Sequence, residues 1–316
     1  VSISGNSITG WAVNGGAGPN AFAVSGSGLH AALTGGPKND TFTVAAGVAF
    51  DGTINGGGGT DTLVAQSAST DSRTWQVTGA NAGTLNGAPF TAVANLTGGA
   101  GSDSFQFGVS GSLSGKIVGG GGSDWLDYSA WTAAVTVDLT KGTATAVKGD
   151  VSGILNVRGG AGNDTLTGAG GNILIGGGGH DTLTDAYTGS AASGRSLLIA
   201  GSGGSSLQAG AAGDILIGGT TSYDSNNAAL AAILAEWQSG DDYNTRFNRL
   251  EGLQSGGLNG AYDLIWGSTV LDNSASDKLI GSPTGLDWFF AQLSGTNLDK
   301  IISLNKPGHE HVNNTL

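Results

Sequence analysis

The feature that most constrains this chain is a nine-residue pattern that keeps returning: two glycines, any residue, a glycine, any residue, an aspartate, any residue, a large apolar residue, any residue. It is complete in GGGGTDTLV from Gly56 to Val64, GGAGSDSFQ from Gly98 to Gln106 and GGGGSDWLD from Gly119 to Asp127. Two more complete copies follow, GGAGNDTLT from Gly159 to Thr167 and GGGGHDTLT from Gly176 to Thr184. The copy starting at Gly15 has Asn20 in place of the aspartate, and the copy starting at Gly35 has Lys38 in place of a glycine. Decayed copies run from Ala200 to Gln208, with Ser205 at the aspartate position, and from Ala209 to Ile217, which keeps Asp214. A unit this short buries its apolar residue only by stacking on its neighbours, so the chain is expected to wind as a repeat solenoid.

Starts at Gly15, Gly35, Gly56, Gly98, Gly119, Gly159 and Gly176 lie 20, 21, 42, 21, 40 and 17 residues apart. Rungs of about 17–21 residues follow, each with one Gly/Asp turn, and the two double steps predict silent rungs near Thr78–Leu85 and Val137–Ala146. At roughly 4.8 Å per stacked strand, about ten rungs would extend on the order of 50 Å. Phe22, Phe42, Leu63, Phe105, Leu126, Leu166 and Leu183 are the expected inward positions.

Composition separates this pattern from a disordered tract. Glycine accounts for 60 of 316 residues, yet hydrophobic residues make up 38% and aromatics are spread throughout, which a flexible Gly/Ser linker would lack. The formal net charge is −12, which excludes a nucleic-acid partner needing clustered Lys and Arg. Only Glu236, Glu251 and Glu310 are glutamates, so the acids are overwhelmingly aspartate, the carboxylate of turns and hard-cation sites. No apolar run approaches the roughly 18 residues of a membrane span. Cysteine and methionine are absent. That suits an extracellular or cell-surface protein, and a sequence opening at Val1 is expected to be a processed or excised piece.

The nonapeptide resembles the RTX, or haemolysin-type, calcium-binding repeat. LDYSAWTAAVTVDLTKGTATAVKGDVSGILNVR, from Leu126 to Arg158, is similar to the spacer preceding such repeats in large secreted proteins. The likeness covers about residues 15–218 and implies an all-β fold, a right-handed parallel β-roll or β-solenoid with calcium held in its turns. The chemistry agrees: glycines let carbonyls point into the turn, the aspartate adds charge, and Ca²⁺ takes oxygen ligands at about 2.3–2.6 Å. One turn supplies only part of a shell, so ligation is expected to couple adjacent rungs. The candidate ligands are Asp40, Asp61, Asp103, Asp124, Asp164 and Asp181, with Asn20 and Asp214 at weaker copies and Asp287 in GSPTGLDWFF. The glycines of the same turns are Gly56 and Gly58, Gly98, Gly119 and Gly121, Gly159, Gly176 and Gly178; Ala100 stands at the third position of its copy. A strict RTX roll carries such turns on both edges; here the second edge, as in Val24–Leu33 or Phe107–Val118, mostly lacks them. Stacked carboxylates are expected to repel in the metal-free chain, linking folding to calcium.

After Gly218 the texture changes, which divides the chain into a solenoid (1–218) and a C-terminal module (219–316). An amphipathic helix is expected over Ser225–Ser239, with Leu230, Ile233, Leu234 and Trp237 on one face and Asn226 or Asn227 as cap. A second is expected over Asp241–Leu250, with Tyr243, Phe247 and Leu250 on one side. Strand texture returns in Leu264–Trp266, Lys278–Ile280 and Gly281–Phe290. The region resembles modules that end large secreted repeat proteins, and its helix pair would cover the last rung. The start, VSISGNSITGWAV, has strand texture and no cover, so either further rungs precede Val1 or another molecule stacks there.

Other residues point nowhere as firmly. His309, Glu310 and His311 lack the i, i+4 spacing of a zinc helix and read as a solvated tail. His30 and His180 are isolated. Trp75, Trp125, Trp131, Trp237, Trp266 and Trp288 read as core and cap rather than as a sugar platform. With no Gly-x-Ser-x-Gly elbow and no thiol, the chain is not expected to be an enzyme. Triplets such as Asn95-Leu96-Thr97 fit the glycosylation pattern. The expected function is a calcium-binding extracellular structural solenoid, self-associating end to end into fibrils or a surface layer. The alternative is the calcium-dependent secretion and folding tail of a larger enzyme, toxin or adhesin, the last adding glycans as partners.

Overall fold

A computed structural model describes residues 2–3, 9–302 and 310–314. The protein is mostly β, with many parallel strands in long sheets and two short helices. It divides into two compact units, one of residues 1–130 and 141–154, the other of 131–140 and 155–316.

In the first unit one sheet stacks Ala21–Val24, Thr41–Val44, Thr62–Ala65, Asn95–Thr97, Ile117–Val118 and Val151–Ser152, all parallel. Ser2–Ile3 pairs parallel at its outer end. The facing sheet begins with Thr9–Asn14, His30–Thr34 and Thr53–Asn55 and ends with Thr74–Gly79, Ser104–Phe107 and Trp125–Asp127. In-register pairing puts like beside like: Phe22 opposes Phe42, Phe42 opposes Leu63, and Leu63 opposes Leu96. The Phe22 and Phe42 rings stack at 4.6 Å. Every expected inward residue is at most 1% exposed; alternation turns the residue before it away from the core in most of these strands, though Trp125, next to Leu126, is buried as well.

The silent rung expected near Thr78–Leu85 is not a rung. Thr74–Gly79, Ala82–Leu85 and Ala88–Thr91 form an antiparallel meander inside the otherwise parallel sheet. Its outer strands pair parallel with Ser104–Phe107 and with Thr53–Asn55. Asn81 and Asn86 turn the corners in left-handed conformations, φ 52° and 48°. The excursion shifts the phase of the winding. Before it, the turns of Asp40 and Asp61 feed the first sheet; after it, the turns of Asp103 and Asp124 feed the facing one. The second silent stretch does contain a rung, Thr136–Asp138, parallel to Thr165–Gly168 in the second unit.

That unit has two parallel sheets. One runs through Thr136–Asp138, Thr165–Gly168, Thr182–Asp185, Ser206–Gln208, Lys278–Ile280 and Lys300–Ile302, and it aligns Leu166, Leu183, Leu207 and Leu279 in one buried row. The other runs through Asn156–Arg158, Ile173–Gly178, Leu197–Ser202, Ile215–Ile217, Trp288–Phe290 and His311–Asn313. The stack therefore continues past Gly218. Ile215–Ile217 lies beside Trp288–Phe290, and the intervening chain leaves and returns through an antiparallel ribbon, Gly219–Thr221 with Val270–Asp272.

The helices sit on that excursion. The first is Asn227–Trp237, capped by the Asn226 side chain accepting from the Ala229 N–H at 3.1 Å; the second is Tyr243–Leu250, capped by Asp242 on the Thr245 N–H at 3.0 Å. Their apolar faces close on the sheet. Trp237 is fully buried and its indole N–H donates to the Gly213 carbonyl at 3.0 Å, while His311 stacks on Phe247 with centroids 3.5 Å apart. Arg158 donates to the Asp224 carbonyl and to Asn227 Oδ1, so the excursion touches strands from the first to the last of that sheet. Asn226→Ala is expected to cost about 1 kcal/mol, read by chemical denaturation.

Candidate metal centre: columns of carboxylates in the turns

Every repeat aspartate occupies one place, the last residue of a turn just before its strand, and is buried: Asp40, Asp61, Asp103, Asp124, Asp164, Asp181, Asp214 and Asp287 are all 3% exposed or less. Oδ1 reaches across to the turn before it in sequence. It accepts the backbone N–H of Asn20 on Asp40 at 2.6 Å, of Asp40 on Asp61 at 2.7 Å, of Asp103 on Asp124 at 2.6 Å and of Asp164 on Asp181 at 2.7 Å. Each carboxylate thus ties two rungs together through the donor that the strand start leaves unpaired.

The second oxygen separates two kinds of turn. In the turns of Asp40, Asp103 and Asp164, Oδ2 accepts the N–H of the second glycine, Gly36, Gly99 or Gly160, at 2.5–2.8 Å. In the turns of Asp61, Asp124 and Asp181 that glycine, Gly57, Gly120 or Gly177, is left-handed, with φ +90°, +109° and +105°. The peptide then faces elsewhere. Oδ2 of Asp61 and of Asp181 is buried and accepts no hydrogen bond. The two kinds alternate as pairs, Asp40 with Asp61, Asp103 with Asp124, and Asp164 with Asp181. Within each pair the third glycine of the later turn, Gly58, Gly121 or Gly178, donates to the carbonyl of Gly36, Gly99 or Gly160 at 2.7–2.9 Å. The first glycine has a separate reason: a Cβ at Gly35, Gly98, Gly159 or Gly176 would collide with Oδ2 of its own aspartate.

Burial raises the carboxyl pKa values of Asp61, Asp103, Asp124, Asp164, Asp181, Asp214 and Asp287, because the charged form loses its water. Asp124 and Asp181 are pushed up to about 7, with the neighbouring Asp103 and Asp164 adding smaller repulsions. Asp277 and Asp287 also reach about 7, burial again leading and Asp299 and Glu310 respectively adding charge repulsion. An acid whose pKa is raised on folding favours the folded state while it is protonated, and that contribution fades as pH rises from about 4 through 7. In chelator, melting at pH 5 is therefore expected to exceed melting at pH 8, read by circular dichroism; a flat profile would contradict the burial of charge.

The sequence placed Asp214 in a decayed copy and Asp287 in the C-terminal module; the structure joins the two in one column of the second unit. Asn172 donates to Ser196 Oγ, Ser196 to Asp214 Oδ1, Asp214 to Asp287 Oδ1 and Asp287 to Glu310 Oε1, at 2.7–3.3 Å. Glu310 is thus no solvated tail; His309 lies outside the described residues. Another run in the same unit goes from Asp164 through Asp181, Ser205 and Asp277 to Asp299. Ser196, Asp277 and Asp299 were missed because their turns lack paired glycines, although Asp277-Lys278-Leu279 and Asp299-Lys300-Ile301 keep the aspartate and the apolar residue two places on. In the first unit Asn20 closes the run through Asp40 and Asp61 as an amide, its Nδ2 donating to Asp40 Oδ1 at 2.9 Å, and Lys38 is exposed. Trp131 and Trp266 are only half-buried, the other four expected core tryptophans buried.

The donors available in the paired turns are carboxylate and carbonyl oxygens with no sulfur among them, the exposed His180 imidazole of the Asp181 turn lying against the Gly204 carbonyl at 2.6 Å, and two of the oxygens are buried without a partner. This set matches a hard cation of the calcium class. Among the described residues no three His, Cys, Asp or Glu side chains converge, so backbone carbonyls would have to supply most of a shell. No family model and no curated protein matches this chain.

Proposed function

We propose that the protein is a calcium-binding extracellular structural β-solenoid, a right-handed roll related to the RTX repeats, in which calcium joins paired turns. The observation that carries this reading is the unpartnered, buried Oδ2 of Asp61 and Asp181, each facing a turn whose own aspartate is already satisfied. Asp40 with Asp61, Asp103 with Asp124, and Asp164 with Asp181 would hold the ion. Bound there, it would neutralise the buried charge and add bonds between rungs. The chain's own part is to hold two turns at fixed spacing and to keep the carboxylates out of water.

Calorimetric titration with calcium is expected to show saturable uptake, and Asp61→Asn with Asp181→Asn to remove about two sites from the stoichiometry. No uptake by the intact chain, or an unchanged stoichiometry in the double variant, would refute the reading. End-to-end assembly into fibrils or a surface layer belongs to the same proposal. Trp11, 58% exposed on a strand that, among the described residues, pairs only with His30–Thr34, supports it. Light scattering in millimolar calcium is expected to show growth beyond the monomer.

A further inference from the structure

The column of the first unit contains one residue of the wrong charge. Arg73 stands where an aspartate would: its backbone N–H donates to Asp103 Oδ1 at 2.7 Å, as Asp103 in turn donates to Asp124. The meander that follows Arg73 opens the stack on one side, leaving a cavity of about 400 Å³. That volume is in the range of small-molecule sites. One wall is apolar and built from buried side chains, Val44, Val48, Phe50 and Leu85; the other carries Arg73 and Asp71.

The guanidinium has few protein partners for so buried a cation. Arg73 is 8% exposed, and only Nη2 is engaged, donating to the carbonyls of Gln66 at 2.8 Å and Ala45 at 3.4 Å. Nε is buried without an acceptor, and no ion pair to Arg73 forms among the described residues. The Asp103 carboxylate is the near anion, but its oxygens already accept the N–H groups of Arg73 and Gly99. The Asp71 carboxylate, half-exposed on the same wall, accepts only a long contact from the Ala68 N–H at 3.4 Å among the described residues. A buried cation with unspent donors, a carboxylate with unspent acceptors and an apolar wall ask for complementary chemistry in one molecule.

We propose that this cavity binds a small zwitterion with an apolar body, the chemistry of a free aliphatic or aromatic amino acid. Its carboxylate meets the Arg73 guanidinium, its ammonium meets Asp71, and its side chain lies against Val48 and Leu85. The site uses none of the unpartnered carboxylate oxygens of the paired turns, although Arg73 is tied by its N–H to Asp103.

The test is calorimetric titration of the intact protein with leucine, 4-methylpentanoate and leucinamide, in calcium and again in chelator. Leucine is expected to saturate, and the analogues lacking the ammonium or the carboxylate to bind at least about tenfold more weakly, since hydrogen bonds to charged groups contribute about 1.5–3 kcal/mol. Arg73→Gln is expected to show the same loss, and Val48→Trp, which fills the cavity from its apolar side, to abolish binding. Should Arg73→Gln fail to fold, the analogue series on the unaltered protein decides. Absence of a saturable leucine signal, or either analogue binding as tightly as leucine, would overturn the proposal.

Discussion

Chelation of calcium is expected to lower Tm by at least about 10 °C. An ion present at about a thousand times its Kd stabilises the folded state by about 4 kcal/mol per site. In a unit of about 150 residues each kcal/mol moves Tm by about 2–4 °C. The effect comes from two sources that act together. Calcium would occupy the unpartnered oxygens of Asp61 and Asp181, and it would cancel the charge that burial disfavours at Asp124 and Asp181. Differential scanning calorimetry with and without chelator reads it, and magnesium is the control, because its smaller, strictly octahedral shell fits a site made largely of fixed carbonyls less well. Identical melting in calcium and chelator would leave the columns as hydrogen-bonding devices alone.

Phe105→Ala is expected to cost about 3–5 kcal/mol, the range for truncating a fully buried aromatic. The position has no slack. Phe105 is 0% exposed, stacks on Trp75 with centroids 5.5 Å apart and pairs in register with Leu126 on its other side. The cavity would lie inside the column, between rungs whose backbones are fixed by their ladder bonds, so collapse around it is restricted. Denaturant titration at saturating calcium measures the loss; a change under about 1 kcal/mol would mean that the interior repacks freely, unlike a close-packed core.

The parts of the fold that the sequence makes legible are those where one residue type has one job. Inward positions could be read because the apolar residue two places after the Asp or Asn of the turn alternates with an outward or half-exposed neighbour in strands such as Ala21–Val24, Thr41–Val44 and Thr62–Ala65, and Phe22, Phe42 and Leu63 stack as that implies. The meander was hidden because TWQVTG and AGTL have the same period of two as a rung. The distinguishing signal was local: Asn86-Gly87, a two-residue hairpin turn with both residues left-handed, φ 48° and 90°. The later columns were hidden for a different reason. Hydrogen bonding needs only an acceptor before the strand, so Ser196 and Asp277 do it without the paired glycines that advertise the turn, and Ser205 does it where the glycines survive but the aspartate is lost. The division of the turns into two kinds could not be read at all, since Gly36 and Gly57 differ only in a backbone angle.

The excursion between Ile217 and Lys278 leaves and rejoins at adjacent storeys through the ribbon Gly219–Thr221 and Val270–Asp272. Its two ends are held together by the column itself, so the entropy of closing it grows only slowly with its length. A solenoid built this way can host cargo: a folded guest of almost any size could be spliced at the ribbon while the rungs above and below keep their register.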